Sequence, residues 1–501
     1  MFSLKPSARL ASHDAVDVTT EPTRPALPRA SGAPPVKRWR ALVMALAAVL
    51  AVSIAYDMWR MPVQVSDSLE EILTAQDSPS VTESFRRAMG SRAYLRPLRI
   101  AQIKAVFDLS QGHYTAAYRG VHAALIFALI VLFAFALPVT SGSDAAAAVF
   151  ALTVLTGLHT FLGFLREAFP INHFLEIAVF ALVALNLSLS RGGWWADVLA
   201  AVTLVCACLT LESGILVWVV IVAAWLCGLR GVSTRGVVAV TLLLGGYFFL
   251  RFSLHTGLPS LTERNTGFLF ERLEPREVQE RFGNTPMIFY AYNIVVSLLS
   301  VLFSEPRNGL FVATKAWSRS DVHPQAYLTI GSSLAMTLAM AGAVVWRWRR
   351  RAPLERADRL AIVAGAVMLA NAVLSFSYAK DDIVALSGAF YAFAAYATMR
   401  AIIEFARAGG LARAVIVSGA VFTLAIAWAV RSSGVHYVVN EHAFRARNDW
   451  AEMHLKWERE GRWPKDPKPL AVIETLRRDA LDRAIPNTQL APEWKERWYG
   501  D

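Results

Sequence analysis

The stretch ALVMALAAVLAVSIAYDM, Ala41–Met58, runs for 18 residues with Asp57 as its only charge. Crossing roughly 30 Å of hydrocarbon takes about 17 to 25 apolar residues in a helix, so this run is long enough to span a bilayer. KRWR, Lys37–Arg40, stands in front of it, and a charged segment without membrane character, about Arg60 to Thr115, follows it. Basic residues before a first span read as a signal anchor with a cytoplasmic N-terminus. The run arrives too late, and is too long, for a cleavable signal peptide.

Similar runs recur along most of the chain. Of 501 residues, 55% are hydrophobic and 18% charged, and the mean hydropathy is +0.40. That leaves too little polar material to cover a water-soluble globule of this size. Only helices or closed barrels satisfy the backbone in lipid, and runs of this length are helical. The expected fold is therefore all-α, a polytopic transmembrane helical bundle. Residues 1–36, with six prolines and no apolar periodicity, read as a disordered cytoplasmic tail.

The net charge of +11 raises nucleic acid as a partner. Its densest cluster, WRWRRR at Trp346–Arg351, abuts an apolar span, so positive-inside topology is the better reading and no nucleic-acid partner is expected. Cys206, Cys208 and Cys227 lie within apolar runs and match neither a disulfide framework nor a zinc site.

After the first span, further spans are expected near 117–137, 143–162, 171–190, 195–211, 213–229 and 235–254, which bring Arg191, Arg230 and Arg235 to the cytoplasmic side. IFYAYNIVVSLLSVLF, Ile288–Phe303, breaks the pattern, because counting it as a crossing would carry WRWRRR outside. It reads as an interfacial or re-entrant element that returns near Ser304-Glu305-Pro306, followed by crossings near 326–346, 359–378, 383–403 and 412–431. The total is about 11 spans, forming a transmembrane domain over 37–431 with its first outer loop at 60–116 and an outer C-terminal tail at 432–501. The tail holds one plausible helix, Leu470–Ala484.

This topology gathers ionisable groups at the outer ends of the spans: Asp67, Glu70, Glu71, Arg96, Arg99, Arg166, Glu167, His173, Glu212, His255, Lys380, Asp381 and Asp382. Such groups at membrane depth are functional candidates. Within the first outer loop the acids precede the bases, an order that suits activation of a nucleophile at one subsite and stabilisation of an anionic leaving group at another. On a helix beginning at Ser66, a fair N-cap, Asp67 shares a face with Glu70 and Glu71. These acids also suit a solvated helix N-terminus. In YLRPLR, Tyr94–Arg99, Pro97 fits a first helical turn, which places Arg96 and Arg99 where a phosphate or a lipid headgroup would be held. Tyr118 and His122, four apart on the second span, read either as cavity-facing or as a structural hydrogen-bonding pair. Glu212, in LTLESG, occupies a short hairpin between spans.

Together, the anchor span, the acid shortly after it, the long loop and the string YLRPLRIAQIKAVFDLSQGHYTAAYRGVHAALIFAL resemble the membrane-embedded GT-C glycosyltransferases, particularly those similar to O-mannosyltransferases. The likeness extends to GLHTFLGFLREAF, Gly157–Phe169, and to LTLESG. It departs in two places: SDS, Ser66–Ser68, offers Asp67 alone where the family often doubles the acid, and Leu211 stands where a Lys is expected before Glu212.

The resemblance implies a GT-C-like fold with amphipathic helices in the first outer loop. It also implies an inverting transfer from a polyprenyl-phosphate-linked sugar to a glycan, lipid or protein acceptor, with Asp67 as general base. Arg96, Arg99, Arg166 and Lys380 are then candidates for the donor phosphate, and Glu70, Tyr118, His122, Glu167 and Glu212 for substrate binding. No residue is assigned as a metal ligand, and the sequence neither requires nor excludes a divalent metal. The expected location is a bacterial inner membrane, with the active face and C-terminus periplasmic. A surface-polysaccharide polymerase or ligase and a secondary transporter are the competing functions. The transporter predicts internal repeats and midplane charge, and the sequence displays neither.

Overall fold

The computed structural model describes residues 36–91, 94–166, 170–254, 266–268, 271–283, 286–304, 310–319, 322–351 and 353–483. Its first helix, α1 (Val36–Arg60), leads into a loop of three helices, α2 (Asp67–Asp77), α3 (Val81–Met89) and α4 (Pro97–Ser110). Next come α5 (Tyr114–Ala136), α6 (Gly142–Gly157), a 3-10 turn at His159–Phe161, α7 (Leu162–Leu165), α8 (His173–Leu189) and α9 (Trp194–Thr210). A second 3-10 turn, Glu212–Gly214, precedes α10 (Ile215–Leu226) and α11 (Thr234–Leu254). A two-stranded antiparallel hairpin, β1 (Thr266–Phe268) and β2 (Glu271–Leu273), interrupts the helices, and then α12 (Pro275–Phe282), α13 (Met287–Phe303) and α14 (Leu310–Ser318) follow. The chain continues through α15 (Pro324–Arg350), α16 (Arg356–Leu374), α17 (Asp381–Arg407), α18 (Leu411–Arg459) and α19 (Pro467–Asp482).

The protein is thus a helical membrane protein. Among the described residues, seven helices are long and apolar enough to cross a bilayer: α1, α5, α11, α15, α16, α17 and α18. The expected span at 143–162 is instead a bent pair, α6 meeting the segment through α7 at 63°. Leu158 leaves the helix in extended conformation there, and the next residues turn along the end of the bundle. Helices α8, α9 and α10 are apolar but shorter.

Contacts between helix ends define two ends of the bundle. At one, Arg347 of α15 binds Asp358 of α16 at 2.7 Å and Glu404 of α17 at 3.2 Å, while Arg400 of α17 binds Asp144 at the start of α6 at 2.7 Å. The amide of Gly231 donates to Ser188 O at 2.9 Å at the same end, joining the loop after α10 to the last turn of α8. WRWRRR, Arg191 and Arg230 all belong to this basic end. The opposite, loop end carries α2 to α4.

Both ends of α13 lie toward the loop end. Asn293 near its start donates to Phe376 O, just past α16, at 2.9 Å. Ser300 near its finish meets His159 at 3.2 Å, and Ser304 accepts from Ser333 at 2.6 Å. Arg431 donates to Ser304, Ser332 and Ser333 at 2.8 to 2.9 Å and so fixes that finish. Glu305 and Pro306, expected at the return, lie outside the described residues.

The largest departure from expectation is at Arg431, where the last span was to end. Helix α18 instead continues to Arg459, because Val435, Val439, Ala443, Ala446, Trp450 and Met453 hold a buried stripe at helical spacing. Residues 432–483 are accordingly no tail. Trp450 and Ile473 join Leu69, Ile72, Ile103 and Tyr118 in a second hydrophobic core over the first loop. Trp450 Nε1 donates to Val63 O at 2.6 Å, Gln76 Nε2 to Lys468 O at 2.9 Å and Arg483 Nη1 to Trp59 O at 2.6 Å. Asp466 caps α19 and Pro467 opens it, so that helix begins three residues before the expected Leu470.

A topology reporter fused after Gly192, Arg351 or Ala408 should give one and the same side, and after Gly112 the opposite one. A split between Arg351 and Ala408 would contradict the packing of α15 on α17.

Candidate functional site

The site is built from the first turn of α4. Pro97 occupies its first position, Arg96 is the N-cap residue and Arg99 lies within the turn, buried. A helix N-terminus carries a partial positive charge, so two guanidiniums there are unfavourable unless anions face them. Two do. Arg99 Nη2 donates to Glu71 Oε1 of α2, and Arg96 donates to Glu212 Oε2 of the turn between α9 and α10, at 2.7 to 2.8 Å. The Arg96 guanidinium also lies 4.2 Å from the Tyr94 ring centroid. A cavity of about 390 Å³ opens against Glu71, Tyr94, Arg96 and Arg99, with Ala75, Ile100 and Ile103 on its apolar side.

One turn further along α4, Gln102 donates to Glu176 Oε1 at 2.5 Å, and His173 Nδ1 stands 3.2 Å from Glu176 Oε2. His173 is within electrostatic reach of both Arg96 and Arg99, and Tyr247 of α11 within reach of Glu212 and Arg96. Several buried atoms of this group have no hydrogen-bond partner among the described residues: Glu71 Oε2, Gln102 Oε1, His173 Nε2, Glu212 Oε1, Ser213 Oγ and Tyr247 Oη. A buried orphaned polar atom costs about 1 to 3 kcal/mol, so their convergence favours a polar ligand. Burial pushes the Glu71 carboxyl above its ordinary 4.5, against the pull of Arg99 and Arg96.

The expected residues separate into those this cluster includes and those it does not. Asp67 is the first residue of α2, exposed, with no hydrogen bond or ion pair to a described residue. Glu70 is exposed too, while Glu71 is half-buried and reaches Arg99, within electrostatic reach of Asp67 one turn earlier on α2. Ser66 sits at the N-cap position but its side chain makes no capping bond. Lys380 contacts Asp382, in a second group where His159 lies 3.3 Å from Asp381. Arg166 caps the C-terminus of α7, half-buried, and its neighbour Glu167 and also His255 lie outside the described residues.

Tyr118 and His122 are fully buried and serve the framework. Tyr118 Oη donates to Ile103 O at 2.9 Å, holding α4 on α5. His122 Nε2 donates to Phe164 O at 2.6 Å and its Nδ1 accepts from Arg119 at 3.3 Å, partners that fix its tautomer. Neither lines the cavity, and each bonds to groups on other elements or to Arg119 rather than to the other. Gln102, Glu176 and Tyr247 went unread in the sequence. The pairing of His173 with Glu176 was signalled by two ionisable residues three apart in an otherwise apolar run.

No protein-family model, curated protein or solved structure matches the chain. Among the described residues no group of three or more His, Cys, Asp or Glu side chains could hold a metal ion.

Two outcomes follow from these placements. Tyr118→Phe removes a single buried hydrogen bond and should lower stability by about 1 kcal/mol, read as an earlier melting transition with turnover per folded molecule unchanged. The raised Glu71 value means that its stabilising contribution is complete below pH 4.5 and is lost as pH climbs through the raised value. Glu71→Gln should therefore gain stability relative to wild type as pH rises from 4.5 toward neutrality, and parallel melting curves across that window would refute it.

Proposed function

We propose that this protein is a membrane glycosyltransferase of the GT-C type, transferring a sugar from a polyprenyl-phosphate donor to an acceptor at the loop end of the bundle. The reading takes the helices that run between the two ends as about 11 crossings, with α13 re-entrant. The basic end is then cytoplasmic and the loop end periplasmic, in a bacterial inner membrane.

One observation carries this reading: Arg96 and Arg99 converge at the N-terminus of α4, each paired with a carboxylate that keeps its other oxygen without a hydrogen-bond partner among the described residues. An incoming phosphodiester can take the place of those carboxylates, since bidentate guanidinium contacts and a helix N-terminus suit phosphate oxygens. Asp67 supplies the base. No described cation holds its carboxylate, so it is available to take the proton from an acceptor hydroxyl as that oxygen attacks the anomeric carbon. The sugar–phosphate C–O bond breaks on the opposite face, and polyprenyl phosphate leaves with the bonding pair and an added negative charge. Arg96 and Arg99 neutralise that charge, and the proton stays on Asp67. The anomeric centre inverts. A transporter would require its charged groups near mid-membrane, whereas this cluster lies at one end.

Asp67→Asn should cut sugar transfer by about 10²- to 10⁴-fold, the usual worth of a positioned general base, with an unchanged melting temperature. Wild-type turnover in that variant would sink the assignment. Mass spectrometry of the purified protein should find co-purified polyprenyl phosphate, depleted in Arg96→Ala.

A further inference from the structure

The end of the bundle opposite this site carries a second polar pocket, of about 350 Å³, at the junction of the loops after α8 and α10 with the start of α16. Its walls hold four guanidiniums, Arg191, Arg230, Arg356 and Arg359, and no carboxylate. The acids closest in sequence face elsewhere, Asp358 at 2.7 Å from Arg347 and Glu355 between Arg347 and Arg400. Arg40 of α1 also stands near enough to Arg356 to repel it. Two backbone carbonyls offset part of this charge, Leu189 O accepting from Arg356 and Gly228 O from Arg359, each at 3.2 Å, and the Arg230 guanidinium lies 4.2 Å from the Trp225 ring centroid.

The pocket is a built feature of the fold. Gly228 adopts φ +81°, and a Cβ there would come within 3.0 Å of Arg359 Nη1. A Cβ on Gly231 would meet Leu187 O at 2.1 Å, so the loop after α10 reaches the last turn of α8 because that position has no side chain. Four guanidiniums lining one pocket whose walls hold no carboxylate suit a bound anion. Its surroundings indicate which kind of anion. Leu354 on the rim is 57% exposed, and Leu226 and Trp194, beside the two loops, are 70% and 78% exposed. Apolar and Trp side chains flanking arginines mark the depth of lipid headgroups.

We propose that this pocket binds the phosphate headgroup of an anionic phospholipid, anchoring the basic end of the bundle independently of the candidate active site.

The full chain, purified in a non-ionic detergent, tests this by thermal melting with added phosphatidylglycerol, phosphatidylcholine or inorganic phosphate. Phosphatidylglycerol should raise the melting temperature and phosphatidylcholine should not. In the variant R191Q/R230Q, whose arginines make no hydrogen bond to a described residue, the concentration for half the effect should rise about thirtyfold, roughly fivefold for each basic residue near an anionic headgroup. Should that variant fail to fold, Arg191→Gln alone should show the fivefold change. R349Q/R350Q removes equal charge at the same end and should respond as wild type. An equal loss in R349Q/R350Q would mean diffuse attraction and overturn the site. An equal shift with phosphatidylcholine, or none lost in R191Q/R230Q, would overturn it as well. Inorganic phosphate acting at the same concentration would replace the lipid with a soluble anion.

Discussion

The architecture at the loop end depends on how three carbonyls are satisfied where the chain leaves α1. Met61, Pro62 and Val63 continue the chain past the helix, buried, with carbonyls that neither a helix nor water at that depth would satisfy. Arg119 of α5 takes the first two, at 3.0 and 2.6 Å, and Trp450 of α18 takes the third, at 2.6 Å. His122, held by Arg119, reaches on to Phe164 O beyond the bend after α6. One basic side chain in the second span thus ties the exit of the first span to the bend that follows the third element. The exit angle of α1 sets where α2 begins, and α2 carries Asp67 and Glu71.

The cluster itself rests on electrostatic matching more than on hydrophobic packing. Two cations at the positive end of a helix invite anions, and the chain supplies Glu71 to Arg99 and Glu212 to Arg96 from positions 28 and 116 residues away in sequence. Each pair leaves one carboxylate oxygen buried and unmatched. Such an arrangement is less stable than a closed bidentate pair would be, and it is better suited to being opened by a competing anion.

Much of the fold was legible in local sequence. Long apolar runs fixed most of the helices, Pro97 marked the start of α4, and the basic clusters grouped the ends of α8, α10, α15 and α17. The bend at Leu158 left no trace in hydropathy, since HTFLGFL stays apolar on both sides of it. The continuation of α18 past Arg431 was hidden because its stripe of Val, Ala and Trp is diluted by Arg, Glu and His on the other faces, which lowers the average without breaking the period. At the site, Arg96 and Arg99 were readable because Pro97 sets their helix position locally. Their partners were not, since Glu71 and Glu212 meet them only through tertiary packing. Tyr118 and His122 show the opposite limit: spacing put them on one face, but only the structure reveals that the face is filled by backbone carbonyls.

Helix α18 runs for 49 residues without interruption, about 74 Å at 1.5 Å per residue. No hydrocarbon layer is that thick, so one rigid rod begins at the basic end and finishes in the core above the first loop. Stiffness of this kind makes the helix a ruler. It sets how far the second core over the first loop stands from the basic end of the bundle, and its Trp450 joins that rod to the residues that lead into α2.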